Sequence, residues 1–157
     1  MIHIVTGKID SGKSTTIADL YQRNQAGDGF VSIKRMHYHK VHGYDIMRLS
    51  TLETRLLVVR DEFKHRDYQI ACKIGPYLFL QDALAYVETT IRSLIADGVT
   101  PIYLDEIGQL ELYDQCFHKV FAELVDSGVE CYITVRHDLV PDIIDKYKLM
   151  DYDIIEV

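Results

Sequence analysis

The feature that most constrains this chain is a glycine-bracketed loop at its beginning. Residues 2–5 are mostly apolar, and Gly7 to Ser14 fit G-x-x-x-x-G-K-[ST], the pattern of the phosphate-binding P-loop. Glycines let the backbone curl so that successive N–H groups point at phosphate oxygens, and the helix that follows presents its positive end to them. The pattern therefore predicts a strand, an anion-binding loop and a helix in direct succession.

The motif also predicts roles for two side chains. We expect the Lys13 ammonium to reach the β- and γ-phosphates of a nucleotide and the Ser14 hydroxyl to be a ligand of Mg²⁺. The alternative is a glycine-containing turn between a strand and a helix, with no ligand. The apolar run before the loop and the helical pattern after it argue against that alternative.

Length, composition and charge limit the remaining possibilities. With 157 residues, 48% of them hydrophobic and 26% charged, the chain is predicted to form one domain spanning 1–157. The net charge is −7 and there is no dense run of Lys and Arg, so we do not expect nucleic acid as a partner. No apolar stretch approaches the ~20 residues of a membrane span, and no signal peptide is visible. We therefore expect a cytoplasmic protein with no membrane partner.

The cysteines point to the same compartment. Cys72, Cys116 and Cys131 are odd in number, are widely spaced and include no C-x-x-C pair. This usage is typical of buried, reduced thiols in a cytosolic protein, so neither a disulfide nor a zinc site is expected.

The order of apolar patterns along the chain indicates the fold class. Residues from about 29 to 75 look like short strands, which predicts a β-rich insertion or an extension of the sheet. Further on, helical patterns at about 82–98, 114–128 and 139–148 alternate with strand patterns at 100–105, 131–135 and 154–155. This alternation predicts an α/β fold with a mainly parallel sheet and helices on both faces.

Two acids and an arginine follow predicted strands. Asp105 ends a buried strand at the edge where open α/β sheets place ligands, so we expect it to support Mg²⁺. Glu106 could accept a proton from the attacking water or orient that water. The alternative is that both acids merely begin a polar turn. Arg136 is a candidate for stabilising transferred-phosphate charge, with an ordinary surface ion pair as its alternative.

The acidic pair begins a more specific motif. Residues 105–112 read Asp-Glu-Ile-Gly-Gln-Leu-Glu-Leu and resemble the D-E-I-G-x-x-E-L signature of the THEP1-like nucleoside-triphosphatases. Those proteins are P-loop NTPases of the RecA-like type, in the additional-strand, catalytic-glutamate class. Residues 29–30, 43–45 and 75–77 are more loosely similar to landmarks of that family.

The resemblance implies a set of site residues. It implies hydrolysis of a broad range of NTPs to NDP and phosphate, Mg²⁺ held at Ser14 and Asp105, and Glu106 as the catalytic acid or base. It also implies that the triphosphate is bound by a continuous loop segment: Gly7, Lys8, Ile9, Asp10, Ser11, Gly12, Lys13, Ser14 and Thr15.

The chain departs from that family inside the loop. Many members have a Pro-Gly pair where this chain has Ile9-Asp10-Ser11. Asp10 brings negative charge close to the phosphates, so we predict that its carboxylate points to solvent or faces a basic neighbour such as Lys8. Further along, Glu111 is expected to form a salt bridge or to cap the helix near Asp114, with a catalytic role as the alternative.

Two other functions use the same motifs. A small nucleoside or nucleotide kinase would share the P-loop, and a non-catalytic regulatory module would bind NTP and change shape. The Asp105–Glu106 pair favours water as the acceptor, because a glutamate at that position polarises a small nucleophile.

Overall fold

The computed structural model covers residues 1–157 and contains one nine-stranded sheet flanked by helices. The strands are β1 (Ile2–Gly7), β2 (Asp28–His37), β3 (Lys40–Arg48), β4 (Thr54–Arg60), β5 (Ile70–Ile74), β6 (Tyr77–Leu80), β7 (Ile102–Leu104), β8 (Cys131–Arg136) and β9 (Tyr152–Glu156). The α-helices are α1 (Lys13–Asn24), α2 (Gln81–Ala96), α3 (Gln109–Leu112), α4 (His118–Ser127) and α5 (Val140–Tyr147). No helix has the length and apolar character needed to cross a membrane.

The sheet has a parallel half and an antiparallel half. The strand order is β5-β6-β4-β3-β2-β7-β8-β1-β9. All neighbours from β2 to β9 in that order pair in parallel, and all neighbours from β5 to β2 pair antiparallel. The predicted α/β fold with a mainly parallel core is therefore confirmed. The β-rich middle of the chain extends this sheet instead of forming a separate insertion.

Helices cover both faces of the sheet, as predicted. On one face, Ile17 of α1 packs with Val5, Tyr103 and Tyr132. On the other face, α2 and α4 bury the apolar stripes that their periodicity predicts, together with Ile143 of α5. The central parallel strands β1, β7 and β8 are covered on both sides, so their side chains are mostly apolar and buried, whereas the edge strand β9 is largely exposed.

The strand β2 joins the two halves and runs beyond the edge of the parallel one. Only its first residues, Asp28 to Phe30, pair with β7, whereas pairing with β3 continues to the end of the strand. The strand has 10 residues and β7 has only three. Its later part, which includes Ser32 and Lys34, therefore extends past the carboxyl end of β7, and we call this part the overhang of β2.

One helix begins later than its sequence pattern suggests. We expected a helix from about residue 114, but α4 begins at His118 and the short helix α3 precedes it. The backbone explains the difference, because Asp114 and Cys116 have positive φ angles of 62° and 54°. A right-handed helix cannot continue through residues in that conformation.

The prediction that all three cysteines are reduced is wrong for two of them. Cys72 on β5 and Cys116 before α4 form a disulfide, with their Cα atoms 6.2 Å apart, and Cys131 is the one free, buried thiol. The two partners are separated by 44 residues in sequence, and they meet where β5 contacts the region of α3. Spacing along the chain could not reveal this contact. The pairing also removes the argument from cysteine usage for a cytoplasmic location.

We predict that this bond stabilises the fold measurably. Closing a ring of about 44 residues is worth roughly 4 kcal/mol in the chain-entropy treatment, and observed losses are typically ~2–5 kcal/mol. The double variant Cys72→Ser/Cys116→Ser should therefore unfold at lower denaturant concentration than the wild type. A reductant should shift the wild type towards the variant and leave the variant unchanged. Equal stability of the wild type with and without reductant would contradict the disulfide.

Candidate active site

The ends of four strands meet at one cleft. The P-loop follows β1, Asp105 and Glu106 follow β7, Arg136 ends β8, and the overhanging part of β2 closes the side. The cleft has a volume of about 820 Å³. Every site residue proposed from sequence lines it except Gly7 and Lys8. The fold thus brings together residues that lie more than a hundred positions apart in the chain.

The P-loop has the backbone shape that its glycines permit. Gly12 has a φ of 92° and immediately precedes α1, so it turns the chain into the helix through a conformation that favours glycine. A Cβ on Gly7 would lie 2.8 Å from the Val157 carbonyl oxygen, which is closer than real Cβ contacts allow, as well as 2.3 Å from the Ser11 Oγ. The glycine pattern therefore reflects real steric constraints in the loop.

Gly7 and Lys8 do not line the cleft, but their backbone carbonyls contact a residue that does. The Lys13 ammonium donates to the Lys8 carbonyl oxygen at 2.7 Å and to the Gly7 carbonyl oxygen at 3.3 Å. These contacts hold the lysine folded over its own loop. They involve neutral acceptors, so an anionic phosphate would compete for the ammonium with a stronger, charge-assisted bond.

Asp105 is a completely enclosed polar group of the site. Its side chain has no exposed surface, and its Oδ2 accepts hydrogen bonds from the Ser14 hydroxyl at 2.6 Å and the Ser32 N–H at 2.9 Å. Its Oδ1 accepts from the Thr134 hydroxyl. Burial raises the pKa of Asp105, and these hydrogen bonds oppose that rise. The carboxylate therefore connects α1, β2, β7 and β8.

Two of these partners were missed by the sequence reasoning. Thr134 carried a signal, since it is a polar residue inside the apolar strand segment Cys-Tyr-Ile-Thr-Val. Ser32 carried none, because its role depends on where β2 lies beside β7. Both residues are part of the cleft.

The residues present fit a Mg²⁺ ion that arrives with a nucleotide. The Ser14 Oγ and Asp105 Oδ2 atoms are hard oxygen ligands that lie 2.6 Å apart, and both residues are part of the lining of the cleft. The protein contains no group of three or more His, Cys, Asp or Glu side chains that could hold a metal by itself. Mg²⁺ typically takes only one or two protein oxygens and completes its shell with water and phosphate.

Glu106 differs from its neighbour in both backbone and environment. Its φ is 65°, which is uncommon for a residue other than glycine, and its N–H donates to the Thr134 Oγ1 at 2.6 Å. Strained backbone of this kind clusters at functional sites. Unlike Asp105, Glu106 is accessible to water within the cleft. The left-handed backbone directs the side chain into the cleft while Asp105 faces the interior.

The electrostatic surroundings of Glu106 suit proton transfer. Partial desolvation by the surrounding protein raises the pKa of Glu106, and the negative charges of Asp105 and Glu111 raise it further. The positive charges of Lys13 and Lys34 lower it. Because water reaches the carboxylate, solvent screening moderates this rise. A carboxylate with a raised pKa is a better proton acceptor than an ordinary glutamate near neutral pH.

Arg136 combines the two alternatives considered from sequence. It lines the cleft, and its guanidinium also forms a two-pronged ion pair with Asp138, in which Nε donates to Oδ1 at 2.5 Å and Nη2 donates to Oδ2 at 3.0 Å. The arginine therefore has a counter-ion in its own turn, beside the place where phosphate would lie.

Asp10 faces a basic side chain, as predicted, but that side chain is not Lys8. The Lys34 ammonium, from the overhanging part of β2, donates to the Asp10 Oδ1. Asp10 itself has a φ of 59°, so its backbone is in the left-handed conformation that glycine adopts more readily. Lys34 is a further site residue with no signal in the local sequence.

Glu111 acts as a helix cap. Its side chain is 3% exposed, and it accepts hydrogen bonds from the Gly108 N–H at 2.7 Å and the Phe117 N–H at 3.0 Å. The first bond closes the N-terminus of α3, and the second fixes the turn that leads into α4. The capping interpretation is therefore confirmed, and both carboxylate oxygens are already engaged with backbone.

Comparisons with known proteins agree with the fold described above. A sequence model of a family described as NTPase matches residues 2–157. The crystal structure of THEP1 from the hyperthermophile Aquifex aeolicus is similar, with a TM-score of 0.73 and 20% identity over 99% of this chain and 89% of that one. The solution structure of a human cancer-related nucleoside triphosphatase has a TM-score of 0.68 and 19% identity over 98% and 87%. No curated protein sequence matches this chain significantly.

We predict that Glu111→Gln destabilises the fold in a pH-dependent way. A glutamine amide accepts only one of the two N–H bonds, so the free energy of unfolding should fall by about 1–3 kcal/mol. Burial raises the pKa of Glu111 from 4.5 to about 7. Between these values the folded wild type keeps a proton that the unfolded chain has lost, so wild-type stability falls as pH rises. The deficit of the variant should therefore shrink between pH 5 and pH 8.

Denaturant unfolding at the two pH values measures this difference. Glu123→Gln is the matched control, because Glu123 is an exposed partner of Arg92 and its loss should change stability by less than about 1 kcal/mol. A deficit for Glu111→Gln that does not change with pH would contradict the raised pKa.

Proposed function

The chain belongs to the THEP1-like NTPase family, and on that premise we propose that it is a Mg²⁺-dependent nucleoside-triphosphatase that releases NDP and inorganic phosphate. The observation that carries the proposal is the 2.6 Å hydrogen bond from Ser14 to Asp105, with Glu106 as the next residue. It joins the phosphate-binding helix to the end of β7. A phosphate loop, a metal-supporting pair and a carboxylate open to water then share one cleft.

The loop supplies the binding part of the proposed reaction. Its backbone N–H groups and the N-terminus of α1 would surround the phosphates, and the Lys13 ammonium would leave the Gly7 and Lys8 carbonyls for them. Arg136 would add positive charge from the end of β8. These contacts hold the terminal phosphorus in line with an attacking water.

Ser14 and Asp105 would hold the metal, Ser14 directly and Asp105 through water. When bound, Mg²⁺ would neutralise charge on the β- and γ-phosphates. The enclosure of Asp105 by Ser14, Ser32 and Thr134 fixes the carboxylate in advance. A preorganised carboxylate of this kind does not need to reorient when the nucleotide arrives.

Glu106 would direct the water. The water oxygen forms a bond to the γ-phosphorus, the bond from that phosphorus to the β–γ bridging oxygen breaks, and the water proton passes to Glu106 or to a phosphate oxygen. The products are NDP and inorganic phosphate. The raised pKa of Glu106 favours acceptance of that proton, and the positive φ aims its carboxylate into the cleft.

Phosphate release across a panel of nucleotides tests the proposal. We expect release from ATP, GTP, CTP, UTP and their deoxy forms in the presence of Mg²⁺, and none with EDTA. Adding a nucleoside should not divert the phosphate. Phosphate transferred to the nucleoside would identify a kinase instead. Tight NTP binding without turnover would identify a nucleotide-gated module.

We also predict that the two acids separate binding from turnover. Glu106→Gln should keep Mg²⁺-dependent NTP binding and lower kcat by about 10²–10⁴-fold, which is the usual size of a proton-transfer or water-positioning contribution. Asp105→Asn should weaken Mg²⁺-dependent binding, because an amide is a poorer partner for the metal's water shell. Calorimetric titration with an NTP analogue and steady-state kinetics measure both effects. Equal losses of binding in the two variants would show that the roles are assigned wrongly.

A further inference from the structure

One ion pair in the cleft plays no part in the reaction proposed above. It joins Asp10, in the middle of the P-loop, to Lys34 on β2. The two side chains are 62% and 45% exposed, respectively, so the pair is reachable from solvent. Exposed ion pairs contribute little to the stability of a fold. Fold stability therefore does not account for a carboxylate inside a phosphate-binding loop.

The backbone at Asp10 adds to this point. Its φ of 59° is a conformation that glycine adopts without steric penalty and that aspartate adopts less readily. An aspartate at this position therefore carries both a conformational penalty and a charge of the wrong sign for phosphate. The partner that compensates the charge is Lys34.

The position of β2 shows where the Lys34 ammonium lies. The Ser32 N–H donates to the Asp105 Oδ2 at 2.9 Å, so β2 is fixed against the acid that would support the metal. Side chains two residues apart on a strand project from the same face, and both Ser32 and Lys34 line the cleft. Lys34 thus contacts the P-loop and lines the same cleft as Glu106.

That region is where the terminal phosphate must be. A triphosphate held by the P-loop and attacked by a water that Glu106 directs has its γ-phosphorus between these two elements. Arg136 differs from Lys34 in that its counter-ion, Asp138, belongs to its own turn and not to the nucleotide loop. Lys34 is paired with the very segment that would surround the substrate.

We propose that Lys34 is a catalytic residue that binds the terminal phosphate of the nucleotide, and that Asp10 is a positioning residue that holds the Lys34 ammonium over the P-loop. The inference rests on the proposed function and extends it. An ammonium has three N–H donors, so Lys34 can bond Asp10 and a phosphate oxygen at the same time. No proton is transferred to or from Lys34. Its charge stabilises the negative charge on the γ-phosphate oxygens as the bond to the bridging oxygen breaks.

Removal of the Lys34 side chain should affect the binding of NTP and of NDP differently. Lys34→Ala should weaken binding of a hydrolysis-resistant NTP analogue by about tenfold or more, because a charge-assisted contact to the γ-phosphate is lost. Binding of the corresponding NDP should change by less than about threefold, since that ligand lacks the phosphate that Lys34 contacts. Both affinities are measured by calorimetric titration with Mg²⁺. In the same variant, kcat should fall by about a hundredfold or more, as for other removed charge-stabilising groups.

Arg35→Ala is the matched control. Arg35 is the next residue of the same strand, is also basic and exposed, and pairs with Asp45 at 3.0 Å instead of with the P-loop. We expect both affinities and kcat to stay within about threefold of the wild type, since only a surface ion pair is lost. Thermal unfolding of every variant verifies that the fold is retained.

Variants of Asp10 separate positioning from contact. Asp10→Asn keeps the backbone conformation, because asparagine tolerates a positive φ, so NTP affinity should stay within about threefold while kcat falls about tenfold. In Lys34→Ala/Asp10→Asn, NTP affinity should recover from the level of Lys34→Ala, because an unpaired carboxylate no longer opposes the phosphates. Its kcat should remain at the Lys34→Ala level. Lys34→Arg should retain the preference for NTP over NDP.

Several results would overturn the inference. Equal weakening of NTP and NDP binding in Lys34→Ala, or no weakening of either, would remove Lys34 from the terminal phosphate. A double variant with no recovery of NTP affinity would show that Asp10 does not oppose the nucleotide. These binding results do not depend on turnover. A wild type that binds but never releases phosphate would refute the proposed hydrolysis and leave the Lys34 contact standing.

Discussion

The arrangement of this site depends on the hydrogen bonds that enclose Asp105. A carboxylate with no exposed surface is expensive to keep unless its oxygens have donors, and here the donors come from Ser14, Ser32 and Thr134. Each donor belongs to a different element. The requirement to satisfy one buried group therefore fixes the P-loop helix, β2 and β8 relative to β7. The cleft has its shape because these elements cannot shift independently.

The two acids at the end of β7 show how one turn can place neighbouring carboxylates in opposite environments. Asp105 is completely buried, whereas Glu106 takes a left-handed backbone conformation and remains open to water. Thr134 serves both residues, because it donates to Asp105 and accepts from the Glu106 N–H. A single hydroxyl thus links the enclosed acid to the backbone of the accessible one. The difference between them follows from local geometry and not from residue type alone.

The parts of the site that follow from sequence are those encoded locally. The P-loop and the Asp105–Glu106 pair are contiguous motifs beside strand and helix patterns, so their positions at the sheet edge could be predicted. The same reasoning located Arg136 and the capping residue Glu111. Ser32, Lys34 and the Cys72–Cys116 bond could not be predicted, since each depends on contacts between segments far apart in the chain. The start of α4 was missed for another reason, namely the positive φ angles at Asp114 and Cys116.

The overhang of β2 has a mechanical consequence. Asp28 to Phe30 pair with β7, and from Phe30 onwards the strand pairs with β3. The Ser32 N–H, which donates to the Asp105 Oδ2, is the last backbone group held on the β7 side, so beyond Ser32 the strand is paired with β3 alone. The beginning of β2 is therefore held more firmly than its end, which has hydrogen-bonded neighbours on one side only. The irregular pairing between Arg35 and Met36 adds a bend just beyond Lys34. Lys34 lies just beyond the part of β2 that is held on both sides. A small movement of the strand at this point would therefore move the Lys34 ammonium across the cleft.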